Sequence, residues 1–158
     1  MNLEHSHPDT FLKTFFEENV PFARHTGIKL LEITTGYGSA VLHDCADTKN
    51  HMGTQHAGAL FTLGEAASGA ACVVIFADQL LDVRAVITRA TIRYERTARG
   101  SILAKGRMRC AVGDVEREFL QTGKTAYAID VILEGESGVQ VAAMEVFWEV
   151  LKRDGAAS

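Results

Sequence analysis

The sequence predicts an α+β fold in which a curved antiparallel sheet wraps around one long central helix. Three observations carry that expectation. The stretch Ala57–Ala77, AGALFTLGEAASGAACVVIFA, holds 21 residues and a single charge, Glu65. Period-two patterns dominate the rest of the chain, as in strands with one buried face. The 158 residues, 47% hydrophobic and 23% charged, fit one globular domain, taken here as 1–158. A sheet must cover its apolar face, and the 57–77 helix is the one element apolar on every side.

Each element follows in order. Phe11, Phe15 and Phe16 fall on one helical stripe after Pro8-Asp9-Thr10, which predicts a short amphipathic helix over about 9–19, stopped by Pro21. Ile28–Thr34 alternates, Gly36-Tyr37-Gly38 turns, and Ser39–His43 returns as a partner strand. Residues 44–55 are polar and loop-like, and the long helix follows, ending near Asp78. Val86–Arg96 puts Val86, Thr88, Ala90, Ile92 and Tyr94 on one face. Gly100-Ser101 turns into Ile102–Cys110, and Thr125–Glu134 pairs with Val139–Leu151 through Gly135-Glu136-Ser137-Gly138. The order is helix, two strands, long helix, four strands. Residues 153–158 are expected to fray.

Composition removes several classes. A net charge of −4 gives no case for nucleic-acid binding. Cys45, Cys72 and Cys110 are odd in number and lack CxxC spacing, which predicts reduced thiols in a cytoplasmic protein, mostly as small core residues. The amino-terminal residues carry no basic start followed by an apolar run, so no secretory signal is expected. The 57–77 stretch is long enough to span a bilayer. Glu65 near its middle, with Gly58, Gly64 and Gly69, reads instead as a helix buried in its own fold, with no membrane partner. His51 and His56 lack a spaced third ligand, so no metal is expected.

A carboxylate is costly to bury unless something pairs with it or uses it. Glu65 is therefore either a satisfied oddity of packing or a working group. Ahead of it, NHMGTQHAG (Asn50–Gly58) leads into a helix start whose backbone N–H groups lack intrahelical partners. Such an end, with the small residues Ala57 and Gly58, either holds a developing oxyanion or simply permits tight packing. Glu65 lies nine residues after His56, roughly 13 Å along the axis. That carboxylate cannot serve a carbonyl held at its own helix start. If the two share one reaction, two antiparallel helices across a dimer axis must supply them. A helix oily on every side also needs cover away from its own sheet, which argues for the same partner.

These residues carry a resemblance. NHMGTQHAGALFTLGEAASG (Asn50–Gly69) resembles the N-x-x-G-x-x-H-G-G…D/E stretch of hotdog-fold acyl-CoA thioesterases, in the branch related to phenylacetic-acid-pathway thioesterases. ITRATIRYERTARGSILAKGRM (Ile87–Met108) resembles that family's third and fourth strands, and the likeness spans roughly Pro21–Leu151. The resemblance implies hydrolysis of an acyl-CoA thioester by a homodimer, in many members a tetramer. It implies Glu65 as nucleophile or general base, the Ala57 N–H as oxyanion donor, Asn50 as the polar residue placing carboxylate or water, and His56 as the hydrogen-bonding residue of the helix start. The family's usual second residue after the histidine is glycine, and here Ala57 is harmless if its backbone is helical but strained if φ is positive. No cofactor is implied, since coenzyme A enters as a portion of the substrate.

Further residues are candidates for substrate. Gly58 lets a thioester approach the backbone, and Ser68, one turn after Glu65, either bonds the acid or substrate or returns to its own helix carbonyls. Between Arg84 and Arg109 lie 8 of the chain's 16 Lys and Arg, with Glu95 the only acid among them. They form a solvated sheet face or a site for coenzyme A phosphates, with Arg96 and Arg99 preferred. Two rival functions remain: a hotdog dehydratase or hydratase, and a non-catalytic acyl-CoA-binding module. The first usually carries Pro-rich motifs near the site, whereas Pro8 and Pro21 are both remote from it.

Overall fold

In the computed structural model, residues 8–153 are described. Residues 154–158 of the tail expected to fray lie outside them. Helix α1 (Pro8–Asn19) and a short α2 (Pro21–His25) precede the hairpin of β1 (Lys29–Thr34) and β2 (Tyr37–Leu42). The central helix α3 (Ala57–Val73) continues as a 3-10 segment to Gln79. Then come β3 (Val83–Tyr94), β4 (Ile102–Met108), α4 (Val112–Thr122), β5 (Lys124–Gly135) and β6 (Gln140–Lys152). The six strands form one antiparallel sheet in the order β1-β2-β4-β5-β6-β3.

Four expectations need correction. Pro21 ends α1 but, at the first helical position where its missing N–H costs nothing, also starts α2. The α-geometry of the central helix stops at Val73 rather than 77, because Phe76 adopts φ −113° and turns its ring into the core. Helix α4 stands where the sequence pattern predicts no element. Val115 and Phe119 bury one narrow stripe of it, and Gly123, at φ 69°, closes it in the left-handed conformation that glycine tolerates. On α1 the buried residue is Leu12, with Phe16 packed against the core and Phe11 turned to solvent.

The sheet holds α3 mainly against β2 and β4, with β5, β1 and β6 further out. Close approach is possible because the contact is made of small residues. Gly38 and Gly106 are cross-strand partners directly beneath Ala67. A Cβ on Gly38 would stand 2.5 Å from the Ala70 Cβ and 2.6 Å from the Ala67 carbonyl oxygen. Leu63, Ala67, Ala70 and Ala71 are fully buried on this side. The opposite stripe, Phe61, Glu65, Gly69 and Val73 at four-residue spacing, is half-buried. The helical run Ala57–Gln79 is long and apolar enough to cross a bilayer, yet 67% of its most apolar window is buried within this fold, where it serves as the core helix.

Candidate active site

The loop before α3 is tied down by its own polar side chains. The Asn50 carboxamide oxygen accepts from the Met52 and Thr54 N–H groups, and its nitrogen donates to the Thr54 hydroxyl at 2.8 Å. Asn50 is thus occupied within the loop, and no hydrogen bond joins it to Glu65 among the described residues. Gln55 fastens the loop to the β3–β4 connection. Its backbone N–H donates to the Ala98 carbonyl and its side chain to the Gly100 carbonyl, both at 2.9 Å, while the Thr48 hydroxyl donates to its carboxamide oxygen. Sequence reasoning missed Gln55. Its partners Ala98 and Gly100 lie more than forty residues away, so only the fold identifies it.

His56 is the residue before the first turn of α3, and its Nδ1 accepts from the Gly58 N–H at 2.9 Å. This cap satisfies one of the helix start's orphan donors. An accepting Nδ1 requires a neutral ring with its proton on Nε2. The Ala57 N–H makes no hydrogen bond among the described residues. No non-glycine residue there has positive φ, so Ala57 is unstrained. Tyr94, from the end of β3, donates its hydroxyl to the Ala57 carbonyl at 3.0 Å. Around this start lies a shallow pocket of about 390 Å³ lined by Met52, Gln55, Ala57, Tyr94 and Arg96 among others. His56→Ala should cost about 1 kcal/mol of stability through the lost cap, a Tm fall of roughly 2–4 °C in thermal denaturation.

Glu65 occupies a different space. It borders an apolar cavity of about 330 Å³ between α3, the α1–α2 pair and Trp148. Its carboxylate has no hydrogen-bond or ion-pair partner among the described residues. Burial pushes its pKa above the usual 4.5. The two pockets share no lining residue, and Ala57 and Glu65 are eight residues, about 12 Å, apart along one helix. Within a single chain they do not meet.

Ser68 points elsewhere than a substrate role needs. Its hydroxyl is fully buried, donates to the Glu65 carbonyl at 2.7 Å and accepts from the Trp148 indole N–H at 3.2 Å. Its expected contact with substrate is therefore corrected to one of support, since both its bonds lie inside the chain. Cys72 also borders the cavity, but burial pushes its thiol up to about 12, and it bonds the Tyr127 hydroxyl at 2.9 Å. It stays a thiol. Cys45 and Cys110 are exposed, so the expectation that most of the cysteines are small core residues is met only at Cys72. Among the described residues no group of three or more His, Cys, Asp or Glu gathers that could hold a metal.

The basic stretch divides. Lys105 pairs with Glu134 at 2.6 Å, Arg109 with Asp130 and Glu145, and Arg93 with Glu95. Arg89 lies over the Phe147 ring and Arg107 over Tyr37. These five are a sheet face balanced by its own acids and aromatics. Arg96 donates to the Gln140 carbonyl and stays largely exposed beside the helix start. Arg99 is exposed in the turn just before Gly100.

The sequence family described as a domain of unknown function (DUF4442) matches residues 9–150. No curated protein matches the sequence. Solved structures do. A Pseudomonas aeruginosa protein of unknown function, named a "probable thioesterase", is 26% identical over 91% of this chain and 95% of its own, with a TM-score of 0.77. The Escherichia coli PaaI protein, from the phenylacetic acid degradation operon, is 20% identical over 96% and 98%, with a TM-score of 0.69. A Haemophilus influenzae thioesterase is 13% identical over 93% and 92%, with a TM-score of 0.71. The architecture shared with these structures is the hotdog fold.

Proposed function

The chain belongs to the DUF4442 family and has the hotdog fold, and on that footing we propose that it hydrolyses acyl-CoA thioesters as a homodimer. The observation that carries the reading is Glu65: a carboxylate without a partner among the described residues, held above its usual pKa in an apolar wall. An uncompensated group of this kind in a cleft is a candidate base or nucleophile.

Each group then has a single task in the reaction. The thioester carbonyl oxygen takes the Ala57 N–H, where the helix dipole favours developing negative charge. Glu65 of the other protomer removes a proton from water as its oxygen attacks the carbonyl carbon. The tetrahedral oxyanion rests on the Ala57 N–H, then collapses and breaks the C–S bond, and the Glu65 carboxyl returns its proton to the departing thiolate, which leaves as the coenzyme thiol. Direct attack by the carboxylate would pass through an anhydride instead, and oxygen-18 incorporation into Glu65 in a single turnover separates the two routes.

The dimer reading has support in the sheet. β3 is an edge strand of twelve residues with Val86, Ile87, Ala90 and Ile92 only half-buried, and long exposed edges seek a partner. Light scattering after size exclusion measures the mass, and a monomer at working concentration is the contrary result. Activity is tested by free-thiol release from short, aromatic and long acyl-CoA substrates, and no release from any of them overturns the reading. Ala57 in place of glycine would favour a binding module without turnover only if it were strained, and its unstrained backbone removes that argument.

Arg96 and Arg99 are assigned to the coenzyme phosphates on their exposure near the helix start. Arg99→Ala should raise KM roughly fivefold for acyl-CoA, the size of an exposed charge pair, and leave KM for the matching pantetheine thioester unmoved. Equal KM changes for both thioesters would place Arg99 elsewhere.

A further inference from the structure

Most glycines of the core are required by packing, and Gly69 is not. A Cβ on Gly64 would stand 2.6 Å from the Met144 sulfur, and one on Gly38 would enter α3 itself. A Cβ on Gly69 meets only the Trp148 ring at 3.7 Å, an ordinary contact. Glycine inside a helix is unfavourable relative to alanine. The chain nonetheless keeps it one turn after Glu65, on the wall of the apolar cavity. The indole over Gly69 is held by its N–H bond to Ser68, so that wall is fixed. The only volume a side chain at 69 would take is cavity volume.

We propose that this cavity receives the acyl group of the substrate, a saturated chain longer than about six carbons, and that Gly69 beneath Trp148 sets the length accepted. The proposal rests on the thioesterase reading for its ligand. About 330 Å³ lies at the lower end of the 300–1,000 Å³ that ligand pockets span, so an acetyl group would leave most of it unfilled. Leu12 and Phe16 of α1, Phe22 of α2 and Phe76 line it with Trp148, and among the described residues Glu65 is the one ionisable oxygen at its edge. A chain entering from Glu65 gains buried surface with each carbon, and each methylene should raise kcat/KM roughly fourfold until the cavity is full.

Trp148 is the only tryptophan of the chain, so its fluorescence reads the cavity directly. Titrating the whole protein with free decanoate should shift the emission to the blue and saturate, whereas acetate at equal concentration leaves it unmoved. Gly69→Val should weaken the decanoate effect at least tenfold and move the preferred acyl-CoA to shorter chains. Gly69→Ala, whose Cβ fits, should keep the oligomeric mass and raise Tm by about 2–4 °C. Three results overturn the proposal: no fluorescence response to any chain length, equal decanoate binding by Gly69→Val, or a changed mass in Gly69→Ala, which would mean that the glycine serves packing between copies. Free-acid binding needs no turnover. Decanoate binding by a protein that cleaves no thioester overturns the hydrolase reading alone, and hydrolysis indifferent to chain length overturns the cavity assignment alone.

Discussion

Glu65→Gln is expected to lower kcat for acyl-CoA hydrolysis by about 10²–10⁴, the range a positioned general base contributes, while the protein remains folded. The substitution keeps the shape of the side chain and removes only its ability to take a proton. Because burial holds the Glu65 carboxyl above 4.5, wild-type kcat/KM should climb with pH through a midpoint above that value. Stability should move in the opposite direction. Below pH 4.5 the carboxyl is protonated in folded and unfolded chains alike. As pH rises through the elevated folded value, the unfolded chain releases its proton more readily, and the wild-type fold loses stability. Glutamine carries no charge to desolvate. Glu65→Gln should therefore have a higher Tm than wild type at about pH 7 and nearly the same Tm at about pH 4. Undiminished turnover would remove Glu65 from the mechanism, and equal Tm at both pH values would show that its burial carries no cost.

Gly38→Val should be the most damaging single change to the fold. The valine Cβ would need to occupy space 2.5 Å from the Ala70 Cβ and 2.6 Å from the Ala67 carbonyl oxygen and the Ala71 nitrogen. Two of those neighbours are backbone, so no rotamer change relieves the overlap. The helix must lift from the sheet. Overpacking commonly costs about 1–3 kcal/mol when side chains can adjust, and more than about 3 kcal/mol is expected here. That is a large fraction of the roughly 5–15 kcal/mol that typically separates folded from unfolded domains. The predicted readout is a Tm lower by about 6 °C or more, or recovery only in the insoluble fraction. Glu65 lies two residues from Ala67, so any soluble remainder should also lose activity. A Tm close to wild type would show that helix and sheet can separate without penalty.

The sheet was legible because its strands alternate with little interruption. Val86–Arg96 and the hairpin around Gly135–Gly138 appear within a few residues of where their patterns place them. Helix α4 was not legible. Its apolar residues, Val112, Val115, Phe119 and the exposed Leu120, are sparse among charges, Gly113 weakens its first turn, and no side chain caps it. Burial of Val115 and of the Phe119 ring, set edge-on to Phe76, gives it a reason to form. Glu65 and the helix start stood out because a lone charge in an oily run is a local signal. Tyr94, Gln55 and Trp148 carry no such signal. Each reaches its partner over 37 to 80 residues of chain through the pairing of the sheet. Ser68 looked like a neighbour of substrate because helical spacing reports which residues share a face, not what lies opposite that face.

The position of β3 has a consequence for how the protein is made. Its one strand neighbour is β6, so Ile87 must wait for Trp148, 61 residues later, before it has a place in the sheet. Pairings so distant in sequence form late, because loop closure must precede any gain from contact. A chain still emerging from the ribosome could assemble β1, β2, α3 and β4 while β3 hangs unpaired. The edge on which two subunits would join thus comes into being only when β6 is laid down. Stalled or clipped chains lacking that strand would leave both edges of β3 open, a state prone to pairing with other copies.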